Sequence, residues 1–177
     1  MSWEQVYEQW IDSDKLDEKM RKELQDLGKD RELKKDAFYK QLEFGTAGMR
    51  GVLGPGVNRM NIFTIRQATE GLARFMDTQD PETKRRGVAI AYDSRHMSPE
   101  FAMEAAKTLA KHDIPSFVFE SLRPTPELSF AVRFENAFTG IMITASHNPA
   151  EYNGYKVYGE DGGQMPPEDA DALTKFV

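Results

Sequence analysis

The sequence predicts an α/β domain, in which a mixed, largely parallel sheet is sandwiched by helices and preceded by a helical leader. From residue 61 onward, short apolar runs alternate with amphipathic helical patterns, and this alternation is typical of a parallel sheet covered by helices. Three of the apolar runs end abruptly in polar residues, as expected where parallel strands reach a ligand-binding edge. The first 43 residues, by contrast, contain only helical patterns.

The composition is typical of a globular domain and excludes several classes of protein. The 177 residues are 40% hydrophobic and 29% charged, enough for one domain with a core. A formal net charge of -6 argues against a nucleic-acid partner, which usually requires a basic face. The absence of cysteine excludes disulfides and thiolate metal sites. With no signal-peptide pattern and no apolar run as long as a membrane span, we expect a cytoplasmic protein with no membrane partner.

The leader, residues 1–43, is predicted to form three amphipathic helices. Its first apolar face has the i, i+3, i+4, i+7 spacing of a helix and consists of Trp3, Val6, Tyr7 and Trp10. The second helix is predicted to be capped by residues 12–14 and to end at Gly28. The third is predicted to span residues 31–42, with Leu33 and Phe38 facing inward. Because acidic and basic residues are interleaved throughout, we expect the leader to pack as an extension and not to bind as a basic arm.

A glycine-rich segment follows the leader. Gly45, Gly48 and Gly51 lie three residues apart around Arg50. Glycines let backbone amides approach an anion closely, and a guanidinium group matches a phosphate. The spacing is neither that of the dinucleotide fingerprint nor that of the Walker loop. From this pattern alone, a phosphate-binding loop and a plain glycine-rich turn both remain open.

Helices and strands then alternate along the chain. Helices are predicted over residues 64–76, 98–112 and 125–136, and strands over residues 88–92, 116–119 and 139–143. Ser98-Pro99 and Thr125-Pro126 are predicted N-terminal caps, whereas residues 80–87 are predicted to be an exposed loop. Near the end of the sequence, Asn153-Gly154 predicts a tight turn before a strand at residues 155–158. Residues 160–163 predict another turn, and Pro166-Pro167 the start of a final helix.

The segment Thr144–Pro149 places Ser146 directly after an apolar strand, at the edge of the sheet where ligands bind. The loops after the two preceding strands carry Arg95 and Arg123, so both arginines are expected near Ser146, although an ion pair between Asp93 and Arg95 would explain that loop equally well. The predicted turn at residues 153–154 would return Lys156 to the side of Ser146. A polar turn without chemistry remains an alternative.

The sequence argues against two other kinds of site, a serine hydrolase site and a histidine metal site. A hydrolase pair of Ser146 and His147 is rejected, because adjacent residues of an extended segment point to opposite sides and the G-x-S-x-G motif is missing. His96 and His112 have no partners at metal-ligand spacing, so both are expected to be surface or core residues.

Three sequence segments, in their order along the chain, indicate a known family: GTAGMRG at residues 45–51, TASHNP at 144–149 and NGYKVYGEDGGQ at 153–164. Together they resemble the first domain of the α-D-phosphohexomutases, the phosphoglucomutase/phosphomannomutase family. The leader and the FGTAGMRG form are most similar to phosphoglucomutases that include phosphopentomutase-type members. The resemblance covers residues 44–177 and implies that they form domain 1, the phosphoserine domain. Because the sequence ends within a helical pattern, we expect this domain to be truncated from a longer multidomain chain.

The resemblance implies roles for the residues of the catalytic loop. Ser146 would carry a phosphoryl group, and one phosphoryl oxygen would be its metal ligand. Lys156 would act as general acid and base on the serine oxygen, and His147 would support the site by hydrogen bonding. Arg50 would contact the phosphoryl region.

Further expectations concern the substrate and cofactors. Thr46 and Asn148 would bind the substrate phosphate together with Arg50. The implied reaction interconverts glucose 1-phosphate and glucose 6-phosphate through a sugar bisphosphate, with glucose 1,6-bisphosphate as activator. Mg²⁺ is implied too, bound mainly by an aspartate-rich DGDxDR loop of another domain, and that string does not occur here. The remaining domains are therefore expected partners, and this chain alone is expected to be inactive or nearly so. Phosphomannomutase, phosphopentomutase and a non-catalytic phosphate-binding module are the alternatives.

Overall fold

The computed structural model describes residues 1–45 and 48–176, in which eight helices and five strands are found. The helices are α1 Trp3–Ile11, α2 Glu18–Leu27, α3 Arg31–Phe38, α4 Ile62–Asp77, α5 Pro81–Arg86, α6 Ser98–Ala110, α7 Thr125–Phe134 and α8 Pro167–Thr174. The strands are β1 Met49–Val52, β2 Val88–Tyr92, β3 Ser116–Val118, β4 Thr139–Ile143 and β5 Tyr152–Tyr158. No helix in these two ranges has the length and apolar character needed to cross a membrane.

The five strands form one sheet in the order β1-β5-β4-β2-β3. Strand β2 pairs in parallel with both β3 and β4, whereas β5 is antiparallel to both β4 and β1. Four of the five strands therefore point the same way, and the predicted mixed, largely parallel α/β sheet is confirmed. The carboxyl ends of β1, β2, β3 and β4 consequently lie along one edge, together with the start of β5.

Helices cover both faces of the sheet, as predicted. On one face, α4, α6 and α8 contribute buried side chains such as Leu72, Phe101 and Leu173 to a core with alternate residues of the strands. On the other face, Leu128 and Val132 of α7 pack against a smaller cluster. This sandwich buries most residues of the central strands β5, β4 and β2 and leaves the carboxyl edge of the sheet as the expected place for a binding site.

The leader packs as three helices around Tyr7, Leu24 and Phe38. It is attached to the segment before α4, because the Arg59 guanidinium lies 2.6 Å from the Asp36 carboxylate. Its interior also includes Phe63. The leader therefore forms a small core of its own that adjoins the first turn of α4.

Three details of the leader differ from the prediction. The second helix is capped by Asp17, whose carboxylate accepts from the Met20 N–H at 2.7 Å, and not by residues 12–14. The third helix ends at Phe38 and not at residue 42, because the Leu42 N–H is already bound to the Val57 carbonyl. Leu33 is 53% exposed and not inward-facing.

Four predictions of local structure in the α/β region are also wrong. Residues 81–86 form a helix, because the Asp80 carboxylate caps it by accepting from two backbone N–H groups at 3.0 Å. Ser98 and Thr125 are not caps, since each is already the first residue of its helix. Asn153 and Gly154 lie within β5 and form no turn, because the sheet pairs Gly154 with Arg50 of β1.

His112 joins the end of α6 to α4 through two carboxylates. Its Nδ1 lies 2.8 Å from Asp77 Oδ2, and its Nε2 lies 3.0 Å from Glu70 Oε2. These hydrogen bonds, that of Glu70 above all, raise the pKa of His112 above its usual value. The hydrogen bond from His112, followed by that from Arg74, lowers the pKa of the Glu70 carboxyl group. The hydrogen bond from Lys84, followed by that from His112, lowers the pKa of the Asp77 carboxyl group.

Replacing His112 by glutamine is therefore expected to destabilise the fold in a pH-dependent manner. A raised histidine pKa contributes stability that is complete below about 6.5, the unfolded value, and is lost as the pH rises through the folded value. We expect the variant to lose about 1 kcal/mol of unfolding free energy at pH 5.5, limited by partial exposure of the carboxylates. The loss at pH 8.5 should be clearly smaller. Urea unfolding at both pH values measures it, and the exposed His96→Gln is the control. An equal loss at both pH values would contradict this assignment.

Candidate active site

Ser146 lies at the carboxyl edge of the sheet, three residues after β4, and is exposed. Its backbone is left-handed, with φ of 56°, a conformation that is uncommon for a residue other than glycine. Its N–H donates to the Thr144 hydroxyl at 3.0 Å, and the Asn148 N–H donates to the Ala145 carbonyl at 3.1 Å. The serine is thus held at the tip of a tight turn, with its hydroxyl directed away from the core.

Arg95, in the loop after β2, binds the Ser146 loop as expected. Its Nη2 donates to the carbonyls of Ser146 at 2.9 Å and Asn148 at 2.7 Å. Its Nε also lies 3.5 Å from an Asp93 carboxylate oxygen. The two interpretations of this loop, a residue near the serine and a structural ion pair, therefore both hold.

Arg123 does not approach Ser146, contrary to the prediction. It follows β3, which is separated from β4 by β2. Its guanidinium instead binds Ser121 and lies 3.1 Å from Glu127 in the first turn of α7. Strand β2 therefore lies between the loop of Arg123 and the loop of Ser146.

Arg50 reaches the same loop from β1. Its Nη1 donates to the Asn148 Oδ1 at 2.9 Å, across 98 residues of sequence. Within residues 1–45 and 48–176 this is the one hydrogen bond of its side chain, so its other guanidinium N–H groups are unpaired among these residues. The exposed guanidinium of Arg50 can therefore meet an anion at Ser146.

Two glycines of the glycine-rich segment are fixed by backbone contacts. Gly45 and Gly48 exchange two backbone hydrogen bonds of 2.8 and 3.0 Å just before β1. Gly48 has φ of 109°, and a Cβ there would lie 1.9 Å from the Tyr155 carbonyl oxygen. Only glycine fits this close approach of two backbones. Thr46, predicted to bind phosphate, lies outside the described residues.

His147 lies closer to the serine than the sequence suggested. Its Nδ1 is 3.4 Å from the Ser146 Oγ, a long distance for a hydrogen bond. The prediction that these adjacent side chains point to opposite sides is wrong, because Ser146 is left-handed and not extended. His147 is thus able to act on the serine oxygen, although the G-x-S-x-G elbow of a hydrolase is absent from the sequence.

Lys156 lies within β5, where it is half-buried and opposite Met142 of β4. The turn that was expected to return it to Ser146 does not exist. The antiparallel pairing of β5 with β4 brings its strand alongside the one that leads to the serine. In the described part of the chain, no hydrogen bond or ion pair joins Lys156 to Ser146.

An open cavity of about 400 Å³ lies beside the serine. Its lining is mostly polar and consists of Asp93, Ser94, Arg95, His96, Ser146, Asn148 and Ala150. A hydroxyl in such a cavity, with the Arg50 side chain bound to its loop, can carry or accept an anionic group. Residues 1–45 and 48–176 contain no group of three His, Cys, Asp or Glu side chains that could bind a metal ion.

The profile of the phosphoglucomutase/phosphomannomutase alpha/beta/alpha domain I matches residues 41–177 of this chain. The chain belongs to the phosphoglucomutase/phosphomannomutase family. A phosphoglucomutase of Staphylococcus aureus (strain bovine RF122 / ET3-1) is 47% identical over 143 residues, which are 81% of this chain and 25% of that protein. The chain thus spans about a quarter of the length of the curated relatives it matches. The family assignment therefore rests on a match over residues 41–177 and not only on the three short segments.

Solved structures of the phosphoglucomutase/phosphomannomutase family share this fold. A Thermus thermophilus protein, provisionally named a phosphomannomutase, superimposes on this chain with a TM-score of 0.70 at 33% sequence identity. The aligned region is 78% of this chain and 30% of that protein. The Paramecium phosphoglucomutase pp63/parafusin, in its open form, superimposes with a TM-score of 0.60 at 19% sequence identity. The aligned region is 77% of this chain and 26% of that protein. The second likeness supports the fold alone.

Proposed function

We propose that residues 44–177 form the phosphoserine domain of a phosphoglucomutase, an enzyme that interconverts glucose 1-phosphate and glucose 6-phosphate. The observation that carries this proposal is the presentation of the Ser146 hydroxyl. It stands exposed in a left-handed turn beside a polar cavity, and Arg50 is bound to the same turn. The relatives named phosphoglucomutase, up to 47% identical, support the choice of glucose. We further propose a cytoplasmic enzyme whose other domains complete the site.

In the proposed reaction, phosphorylated Ser146 donates its phosphoryl group to a hydroxyl of the sugar monophosphate. The bond from the serine Oγ to phosphorus breaks, a bond from the sugar oxygen to phosphorus forms, the sugar hydroxyl loses a proton and the serine Oγ gains one. The resulting sugar bisphosphate returns its other phosphoryl group to the serine. Phosphoryl transfer depends chiefly on positioning and charge neutralisation, which is what this loop provides.

The surrounding residues have distinct proposed roles. A phosphoserine carries about -1.5 to -2 charges, and Arg50, with N–H groups to spare, would neutralise part of this charge. His147, 3.4 Å from the Oγ, would support the oxygen by hydrogen bonding. Lys156 would exchange the proton with the serine oxygen. Asn148 and Thr46 would bind phosphate together with Arg50.

Mg²⁺ does not fit a site built from the described residues alone, since they offer no cluster of ligands. We propose that a phosphoryl oxygen on Ser146 provides one ligand and that a further domain provides the others. Bound there, the ion would neutralise phosphoryl charge. We therefore expect the 177 residues alone to show little or no turnover, and parent-like rates from this chain would contradict that expectation.

The mass of the Ser146 peptide tests the phosphoserine directly. We expect one added phosphoryl group after incubation of the full-length enzyme with glucose 1,6-bisphosphate, and none in Ser146→Ala. Ser121→Ala, which removes an exposed hydroxyl after strand β3 at the same edge of the sheet, should be labelled like the parent. Label in the full-length enzyme but not in this chain would show that the other domains are required. Absence of phosphoserine from both would favour a non-catalytic phosphate-binding module and overturn the proposal.

The identity of the sugar requires a separate assay. Comparison of kcat/KM for glucose 1-phosphate, mannose 1-phosphate and ribose 1-phosphate would separate phosphoglucomutase from phosphomannomutase and phosphopentomutase. We expect glucose 1-phosphate to give the highest value. A preference for mannose or pentose phosphates would replace the proposed substrate and leave the serine chemistry unchanged.

A further inference from the structure

A chain of polar contacts runs from the interior of the domain to the back of the Ser146 loop. It begins at Asn153, which is fully buried in β5 and donates from Nδ2 to the Ser98 hydroxyl at 2.9 Å. The Ser98 hydroxyl donates in turn to Asp93 Oδ1 at 2.9 Å. Asp93 also accepts from the Arg95 N–H at 3.0 Å. A buried network of this kind fixes the position of its last member, which is Arg95.

Arg95 spans the whole connection between β4 and β5. Nη2 binds the Ser146 and Asn148 carbonyls, as described above, and Nη1 binds the carbonyls of Pro149 at 2.8 Å and Tyr152 at 3.0 Å. These four acceptors extend from the serine to the first residue of β5. A single guanidinium group therefore binds backbone carbonyls along the whole connection between β4 and β5.

The terminal donors of Arg95 are all used by these contacts. A guanidinium has five N–H groups, and the four on Nη1 and Nη2 bind the loop carbonyls, while Nε lies 3.5 Å from an Asp93 carboxylate oxygen. The side chain is 13% exposed. Although Arg95 lines the cavity, its terminal N–H groups are therefore committed to the loop backbone.

The contact with the Ser146 carbonyl has a conformational consequence. A left-handed residue other than glycine is disfavoured and persists only where its surroundings hold it. Arg95 holds the peptide group on the carboxyl side of Ser146, while Thr144 holds the one on the amino side. Together they fix the direction of the hydroxyl. The hold on the Asn148 carbonyl likewise keeps that side chain in place for Arg50.

We propose that Arg95, oriented by Asp93, Ser98 and Asn153, is the positioning residue of the phosphoryl-carrying serine. It acts through the loop backbone and makes no contact with the substrate. This inference rests on the proposed function, since it deepens the role of the same site. A group that orients the nucleophile without touching the substrate should affect kcat and leave KM nearly unchanged.

Amide hydrogen exchange in the 177-residue chain tests the structural half of this inference. Arg95→Met should accelerate exchange in residues 145–152 by about 10-fold or more, because the loop amides are protected only while the turn persists. Arg123→Met removes the equivalent arginine after β3, which serves its own loop, and should leave residues 145–152 unchanged. Equal exchange in Arg95→Met and the parent would overturn the inference.

Steady-state kinetics of the full-length enzyme test the functional half. Arg95→Met should lower kcat by about 100-fold and change KM by less than about twofold, whereas Arg123→Met should match the parent. Arg95→Lys keeps the charge but has three donors in place of five, so it should fold and show an intermediate kcat.

The outcomes separate the two proposals. A rise in KM with an unchanged kcat would overturn the positioning role in favour of substrate binding, and parent-like kinetics in both Arg95 variants would overturn it altogether. Both results would leave the phosphoserine mechanism standing. If the unsubstituted full-length enzyme neither turns over phosphosugars nor forms phosphoserine, the proposed function fails, and the positioning role fails with it.

Discussion

Replacing Ser146 by alanine is expected to lower the kcat of the full-length enzyme by about 10⁴-fold or more, because the group that accepts and donates the phosphoryl is removed. Coupled turnover of glucose 1-phosphate to glucose 6-phosphate measures this loss. The fold should be unaffected, since the hydroxyl is exposed and its one hydrogen-bond contact among the described residues is a long one of 3.4 Å with His147. A melting temperature within about 2 °C of the parent would correspond to about 1 kcal/mol or less for a domain of this size.

The control for this prediction is Ser121→Ala, which removes a hydroxyl that follows β3 at the same edge of the sheet. Because Ser121 contacts Arg123 in its own loop and not the cavity, its turnover should equal that of the parent. A Ser146→Ala enzyme that kept even a tenth of the parental kcat would show that phosphoryl transfer does not pass through this serine.

Replacing Gly154 by alanine is expected to lower the unfolding free energy by about 3 kcal/mol, or roughly 6–12 °C in melting temperature. A Cβ at this position would lie 2.5 Å from the Thr144 carbonyl oxygen and 3.1 Å from the Met49 carbonyl oxygen. Both atoms are backbone, on either side of β5, so neither can move without separating the strands. Urea unfolding of the 177-residue chain measures the effect.

Gly45→Ala is the matched control, because a Cβ there meets its nearest atom at 3.7 Å, an ordinary contact. We expect it to change the unfolding free energy by less than about 0.5 kcal/mol. If Gly154→Ala were as mild as Gly45→Ala, the close packing of β5 between β1 and β4 would be incorrect.

The amino-acid sequence by itself determined the fold class and the position of the serine. The apolar run at residues 139–143 ends so sharply at Ser146 that its place at the sheet edge followed from periodicity alone. The apolar face of the first leader helix followed from helix periodicity, whereas Leu33, assigned inward in the third helix, is exposed. The proximity of Arg95 also followed, since adjacent parallel strands end side by side.

The tertiary structure alone decided the features that depend on strand order and backbone conformation. Asn153-Gly154 is locally a turn sequence, but pairing with β1 on one side and a hydrogen bond from the Thr144 N–H to the Gly154 carbonyl on the other draw it into β5, and long-range hydrogen bonds outweigh local preference. Strand order likewise separates Arg123 from the serine and brings Arg50 to Asn148 across 98 residues. The left-handed turn at Ser146 has no local sequence signal, because it is held by Arg95, a residue 51 positions earlier in the chain.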